Sequence, residues 1–394
     1  MPSPVPVDRR WLASFRRRLR TWYARNARKL PWRTSRDPYA VWVSEIMLQQ
    51  TQVATVKLYF ERFLAAFPTI EALAQADEHD VLRLWEGLGY YRRARQMHEA
   101  AGILVRDHGG RFPRDAETVR RLPGVGRYTA GAILSIAFDA REPILEANTT
   151  RLFSRLLALR GEKKGTGTVC AKPGSDRRLV AGRCGKLYLS ASSSAQLLWA
   201  MAEAVLPRKD TGAFNQALME LGGKVCLPKR PRCDGCPVAP LCRALAEGIQ
   251  SSIPPAKPKR AIQPRHEAAL IVRRGRHVLV WRCPEGGRWA GLWDFPRFPV
   301  DAARSEPIAS QLGDQLRQQT GVVVEAGRHL ATLKHSVTRF RITLDCFEAR
   351  WLSGPNAAGR SRELRWLRPA ELADYALSTT GRKLARTPVP KVPG

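Results

Sequence analysis

Apolar residues recur at three- and four-residue spacing along most of the first 250 positions, the period of helices that bury one face. Val41 to Phe60 and Val81 to Val105 are strong segments of this kind, and Pro or Gly marks their ends. From Ser251 to Arg265 (SSIPPAKPKRAIQPR) the period stops and Pro and basic residues take over, the composition of an extended linker. Beyond it, AALIV, HVLVWR, GLWDFPRF and FRITLDCFEARW alternate or run apolar in strand-length pieces, and Pro307 to Gln319 carries a helical pattern. The expected architecture is a mostly α N-terminal region over residues 8–250, a linker over 251–265, a smaller α+β domain over 266–376, and a flexible tail over 377–394. Gly161 to Ser194, rich in Gly, Ser and Lys/Arg, interrupts two good helical patterns and reads as a disordered surface insertion, with Cys170 and Cys184 as free thiols.

Lys and Arg number 66 against 35 Asp and Glu, a formal net charge of +31. Such an excess repels itself, and a polyanion such as nucleic acid relieves it while releasing counterions. A GC-rich coding bias that favours Arg would give the same excess, so charge alone names no partner. No apolar run is long enough to span a bilayer, and the first residues hold no secretory-type apolar segment. A membrane role is not expected; a cytoplasmic monomer, associated with the nucleoid if bacterial, is.

Three clusters carry candidate chemistry. Cys226, Cys233, Cys236 and Cys242 follow C-x6-C-x2-C-x5-C, and four thiolates in a compact loop can bind zinc or a [4Fe–4S] cluster. Zinc sites usually pair two C-x-x-C knuckles, and this loop has one. Within its first interval, Lys229, Arg230 and Arg232 could meet a phosphate backbone. Leu122-Pro123-Gly124-Val125-Gly126, followed by Arg127-Tyr128-Thr129, reads as a turn between two helices, the second of which starts with N–H groups free to face a phosphate. Glu45 is the only acidic residue from Pro38 to Tyr59, in apolar surroundings that raise a carboxyl pKa and suit a proton donor near neutrality.

The cysteine spacing, the Gly-rich turn, Leu30-Pro31-Trp32-Arg33 and Val41 to Thr51 (VWVSEIMLQQT) together resemble the adenine DNA glycosylases of the MutY type, within the endonuclease III superfamily of helix-hairpin-helix iron–sulfur glycosylases. The resemblance covers residues 8–250 strongly, apart from the insertion, and 266–376 loosely. It implies a [4Fe–4S] cluster on the four cysteines and a hairpin, with Leu122, Gly124 and Gly126, that grips double-stranded DNA. It implies that Glu45 protonates adenine at N7 and later helps activate water. It also implies that Gln50 and Tyr90 wedge into the duplex beside a flipped base, and that Arg28, Arg33 and Gln216 line the adenine pocket. Where lyase-active relatives carry a Lys nucleophile, this chain has Tyr128, so excision without strand cleavage is expected. The expected substrate is adenine opposite 8-oxoguanine or guanine.

One departure concerns the second carboxylate, an Asp in an Asp-Gly-Asn sequence of the family. Here the segment reads Glu146-Ala147-Asn148. Its role is to stabilise an oxocarbenium-like sugar. Glu keeps the charge and adds a methylene, a shift on the order of 1.5 Å, and a misplacement of about 1 Å can cost roughly a hundredfold in rate. The α+β domain resembles the Nudix-related domain that reads 8-oxoguanine. Its helical stretch from Ser310 to Gly321 has a single acid, too few to hold Mg²⁺ for hydrolysis. A Phe-Ser-His triplet of the family is replaced by Val337-Thr338-Arg339, with Thr338 retaining a hydroxyl for the oxidised guanine. Two other readings stand beside this one: removal of another mispaired base, such as thymine opposite guanine, and a lesion-binding protein without catalysis, suggested by Glu146.

Overall fold

A computed structural model describes residues 7–160, 191–256, 261–300, 307–355 and 362–386. The periodic N-terminal part folds as α1 (Arg9–Asn26), α2 (Pro38–Leu48), α3 (Val53–Ala66), α4 (Ile70–Gln75), α5 (Glu78–Trp85) and α6 (Arg92–His108). It continues with α7 (Ala116–Arg121), α8 (Arg127–Phe138), α9 (Ala147–Leu156), α10 (Ala191–Val205), α11 (Thr211–Lys224) and the short α12 (Arg243–Ala246). The strand-length pieces become β1 (Gln263–Arg274), β2 (His277–Arg282), β3 (Trp293–Asp294), β4 (Arg297–Pro299), β5 (Val323–Val337), β6 (Phe340–Ser353) and β7 (Leu364–Leu367). Helix α13 (Ile308–Thr320) precedes β5, and α14 (Thr379–Ala385) follows β7.

Two of the periodic segments are not single helices. Val41 to Phe60 breaks between α2 and α3, and Val81 to Val105 between α5 and α6. Gln50 (φ 58°) and Tyr90 (φ 48°) stand in those breaks in left-handed backbone, which non-glycine residues adopt rarely and at a cost. Apolar spacing runs on through both breaks, so periodicity alone could not show them.

Residues group into two compact units, Met1–Gln49 with Arg111–Pro258, and Gln50–Gly110 with Lys259–Gly394. The first unit therefore lacks α3–α6, which sequence reasoning had placed in one region with the rest of 8–250. Its core joins Phe15 and Leu19 of α1 to Phe153 of α9, Met201 of α10, and Phe214 and Leu221 of α11. Helix α2 starts on Pro38, with the Asp37 carboxylate accepting from the N–H groups of Tyr39 (3.0 Å) and Ala40 (3.2 Å). Val41 to Met47 are buried without interruption, the signature of a helix enclosed on all sides.

In the second unit a seven-stranded sheet has the order β3-β2-β1-β6-β5, with β4 paired to β1 and β7 to β2. β1 and β6 are parallel; β5 and β6 form an antiparallel hairpin. Ala269 and Ile271 of β1 join a core that includes Leu384 of α14, whereas Ala268, Leu270 and Val272 join one that includes Leu312 and Leu316 of α13. Both faces are covered, which is why AALIV runs apolar instead of alternating. Helices α3–α6 belong to this unit, where Glu86 after α5 accepts two 2.8 Å bonds from the Arg382 guanidinium of α14 and one from the Leu377 N–H at 3.2 Å.

The expected boundaries shift accordingly. Strand β1 begins inside the expected linker, at Gln263, and α10 begins inside the expected insertion, at Ala191. Residues 161–190, with Cys170 and Cys184, lie outside the described residues. The expected tail is structured over 377–386: Ser378 caps α14 by accepting from the Gly381 N–H (2.9 Å) and donates to buried Asp294 (2.7 Å). Leu377 and Leu384 are buried in the core. The polar run STTGRK hid two apolar anchors. Among the described residues no helix is long and apolar enough to cross a membrane.

Candidate active site

Glu45 lies on the buried stretch of α2 and is 5% exposed. The Tyr128 hydroxyl, on the first turn of α8, donates to its Oε2 at 2.8 Å. Burial pushes the Glu45 carboxyl up to about 7; the Tyr128 bond pulls it down, the Glu146 carboxylate raises it further, and Arg33 lowers it. Burial and the same two carboxylates raise the Tyr128 phenol well above its ordinary value, so it remains a hydrogen-bond donor. The two sequence-read carboxylates, 101 positions apart by their numbers, thus act on each other electrostatically.

Glu146 is the N-cap of α9. Its carboxylate accepts from the N–H groups of Asn148 (2.8 Å) and Thr149 (3.1 Å), and the Thr149 hydroxyl accepts from the Glu146 N–H (2.8 Å), a capping box. Two close approaches hold this turn. A Cβ on Gly131 of α8 would fall 2.4 Å from the Pro143 carbonyl oxygen in the segment before α9, and one on Gly222 of α11 2.8 Å from the Asn148 Cβ, so only glycine lets α8 and α11 come so near that segment and α9.

Asn148 accepts from Arg151 at 2.9 Å. The buried Arg151 guanidinium also donates to the carbonyls of Gly222 (2.7 Å) and Cys226 (2.7 Å). One turn further along α9, Arg155 donates to the carbonyls of Leu227 (2.7 Å), Pro228 (3.2 Å) and Ile253 (2.8 Å), and lies 3.3 Å from the Cys226 Sγ. Helix α9 thus carries Glu146 at one end and grips the cysteine loop with the other.

The four cysteines line one cavity of about 370 Å³, counting its open mouth, with Leu152, Val225 and Val238 among the apolar walls. Burial pushes the Cys236 thiol up to about 12 and raises those of Cys233 and Cys242. Among the described residues no group of three or more His, Cys, Asp or Glu is arranged to hold a metal ion. Lys229, Arg230 and Arg232 are exposed on the same loop, which the Arg232 N–H closes onto the Val225 carbonyl at 2.9 Å.

The hairpin turn is as expected between α7 and α8. Gly124 has φ 75°, the conformation a turn requires there. Gly126 caps α8, and a Cβ on it would meet no protein atom within 4 Å, so that side of the turn is open. Leu122 is 4% exposed and packs its side chain inward, which leaves its backbone as the part that could meet a ligand.

Arg28 and Arg33 converge on Glu220 of α11, a fully buried carboxylate that sequence reasoning missed. Arg28 donates at 2.6 and 3.0 Å, and Arg33 at 3.0 Å. Burial alone would raise the Glu220 carboxyl, but the two guanidiniums hold it below its ordinary value. One turn earlier on the same helix, Gln216 accepts from the Tyr23 hydroxyl at 2.8 Å, leaving its amide N–H groups to another partner. Glu220 is the only acid in α11. The criterion that picked out Glu45, a lone acid in an apolar helix, would have found it.

Gln50, Tyr90 and Thr338 belong to the other unit. Tyr90 is half exposed and its ring lies 5.6 Å from the Arg93 guanidinium. Thr338 is exposed at the two-residue tip of the β5–β6 hairpin, with φ 53°, and not within a strand.

Residues 43–171 match the HhH-GPD superfamily of base excision DNA repair proteins, and residues 267–387 match the NUDIX domain family. An adenine DNA glycosylase of Rattus norvegicus is 33% identical over 427 residues, 95% of this chain and 78% of its own length. One from Buchnera aphidicola subsp. Schizaphis graminum (strain Sg) is 35% identical over 278 residues, 70% of this chain and 73% of its own. The solved structure of a thermostable thymine-DNA glycosylase aligns with a TM-score of 0.49 at 25% identity, over 60% of this chain and 98% of that one. With a helical HhH-GPD region, a Nudix-like α+β part and relatives of this kind matched over about three quarters of their length, the chain belongs to the adenine DNA glycosylase family of base excision repair proteins.

Proposed function

We propose that this protein removes adenine paired with 8-oxoguanine or guanine in double-stranded DNA, hydrolysing the N-glycosidic bond without cutting the strand, and that it works as a monomer. The observation that carries the reading is Glu45: a buried carboxyl held near 7, hydrogen-bonded by Tyr128 and within the field of Glu146. Its carboxyl is matched to donate a proton to adenine N7 near neutrality, which turns the base into a better leaving group. As the bond breaks, positive charge develops on the sugar, and the Glu146 carboxylate stabilises it. The ionised Glu45 then accepts a proton from the incoming water, restoring the acid. Arg33, Glu220 and Gln216 supply donors and acceptors for the adenine edge.

Tyr128 supports the absence of lyase activity, because a phenol cannot form a Schiff base with the sugar. The open Gly126 turn and the exposed Lys229, Arg230 and Arg232 suit phosphate contacts. We assign the four cysteines to a [4Fe–4S] cluster. Four thiols line one apolar cavity, and the loop has a single C-x-x-C pair where zinc sites usually have two. When bound, the cluster supplies rigidity to the loop. Arg151 and Arg155 transmit that rigidity to the turn bearing Glu146 and Asn148. Cellular location follows the substrate, with the DNA.

The test is a panel of duplexes holding A:8-oxoguanine, A:G or T:G, each analysed before and after alkali. Cleavage of the adenine strand only after alkali supports the proposal. Product from T:G, strand breakage before alkali, or tight binding without product contradicts it.

A further inference from the structure

We infer that Tyr23 is a positioning residue that sets base specificity: its hydroxyl fixes the polarity of the Gln216 amide, so that the amide offers its N–H groups to a ring nitrogen of the base. The inference rests on the reading that adenine is the base removed. It adds the group that tells adenine from a purine carrying a proton at N1. Gln216 and Met219 lie one turn apart on α11 and are half-buried, whereas Asn215, Ala217, Leu218 and Glu220 between and beside them are buried. The Tyr128 hydroxyl that bonds Glu45 also lies 3.7 Å from the Met219 sulfur. The open stripe of α11 thus borders the Glu45 carboxyl, where the base must be held.

The two ends of a primary amide differ only in what they bond, and a free one turns end for end, so its polarity is set by its neighbours. Here the neighbour is held in place. The Tyr23 ring, on α1, packs against the first unit's core, and the Arg33 guanidinium lies 5.8 Å from its centroid. Its hydroxyl donates to Gln216 Oε1 at 2.8 Å. Burial is the largest influence on the phenol and raises it, so it keeps its proton and stays a donor. Arg28 and Arg33 beside it have no acceptor to offer. Glu220, the nearby carboxylate, already accepts from both of them at 2.6, 3.0 and 3.0 Å. Gln216 is the acceptor left to the phenol, and an amide with its oxygen towards Tyr23 turns its nitrogen the other way.

That polarity suits adenine. A base taken out of the duplex exposes its pairing edge, and with N7 given to Glu45 the acceptor beside the 6-amino group is N1. The fixed amide donates to N1, and the second lone pair of Oε1 accepts from the 6-amino group. Hypoxanthine has the same outline but carries a proton on N1 and an oxygen at position 6. Against it the fixed amide sets donor to donor and acceptor to acceptor. A turned amide would match hypoxanthine as well as the fixed one matches adenine. Mismatched polar groups in a site discriminate far more strongly than shape, so the Tyr23 hydroxyl is what makes the amide selective.

Single-turnover excision of adenine and of hypoxanthine, each opposite 8-oxoguanine, tests this in the parent and in Tyr23→Phe. The parent should prefer adenine, and Tyr23→Phe should lower the adenine-to-hypoxanthine rate ratio by roughly tenfold or more. Gln216→Glu, whose carboxylate has no donor for N1, should lower it as well and serves if Tyr23→Phe melts early. A ratio near one in the parent, or a ratio unchanged in either variant because both rates fall together, would overturn the inference. The same two duplexes bound by Glu45→Gln, with and without Tyr23→Phe, give the ratio as affinities with no excision step. If the parent excises nothing, the proposed function fails by itself. A preference of Glu45→Gln for the adenine duplex that Tyr23→Phe erases then upholds the inference, and a preference that persists overturns it.

Discussion

The Tyr128 hydroxyl and the Glu45 carboxylate, 83 positions apart, are joined by a 2.8 Å hydrogen bond between the first turn of α8 and the buried face of α2. The phenol donates to the charged form of Glu45 and so opposes the rise that burial causes. Tyr128→Phe removes that opposition. The alkaline limb of the single-turnover excision profile should move to higher pH, with excision retained at neutrality. A limb that stays in place would mean that the bond does not tune the acid.

Glu45 also couples pH to stability. Its carboxyl ionises near 4.5 in an unfolded chain and near 7 in the folded one. Between those values the folded state holds a proton that the unfolded state has lost, so stability falls as pH rises through this window and is level above it. Glu45→Gln keeps the acceptor for Tyr128 and abolishes the titration. It should be more stable than the parent at pH 8 by up to about 3 kcal/mol, with the gap closing towards pH 4.5. Denaturant melts at both pH values measure this, and a constant gap would contradict it.

Glu146 caps α9, and in the proposed mechanism the same carboxylate faces the developing charge. Glu146→Gln should abolish excision in single-turnover assays; unchanged activity would remove it from the mechanism. Glu146→Ala should in addition lose about 1 kcal/mol of stability with the cap. Glu146→Asp keeps a capping oxygen and shortens the reach. If the extra methylene slows the chemistry, that variant should be faster by roughly ten- to a hundredfold.

Glu220 is fully buried between Arg28 and Arg33. Glu220→Ala leaves two guanidiniums facing each other without a counter-charge, a loss of roughly 3 kcal/mol by analogy with broken buried pairs, discounted because the Arg28 side chain is 36% exposed. Thermal melts are expected to show it, together with weaker binding of adenine-containing duplex. A variant as stable as the parent would mean that the pair contributes nothing.

Much of the site was legible because its residues are chemically conspicuous. Glu45 is a lone acid on an apolar helix, and Cys226 to Cys242 is a motif. The Gly124 turn needs a residue that tolerates φ 75°. Glu220 met the first criterion equally well and was overlooked. Arg151 and Arg155 were hidden among many arginines, because their work is long-range hydrogen bonding to carbonyls that spacing does not encode. The same limit applies to the fold. The strands and α13 were legible from apolar runs, but the α2–α3 break was not, since Gln50 adopts left-handed backbone without being glycine; the α5–α6 break was signalled by Gly87 and Gly89, both at positive φ, and was overlooked. Nor could local pattern place α3–α6 with the sheet or order the end of the chain. Those depend on single tertiary contacts such as Glu86 with Arg382.

The central claim is that Glu45 delivers the proton that releases adenine. Single-turnover excision from an A:8-oxoguanine duplex, followed from pH 5 to pH 9 for the parent and Glu45→Gln, tests it most directly. The parent rate should fall about tenfold per pH unit above the Glu45 value of about 7, as the acid form is depleted. Glu45→Gln should give no abasic product at any pH while still binding the duplex. A Glu45→Gln enzyme that excises adenine at the parent rate would contradict the account.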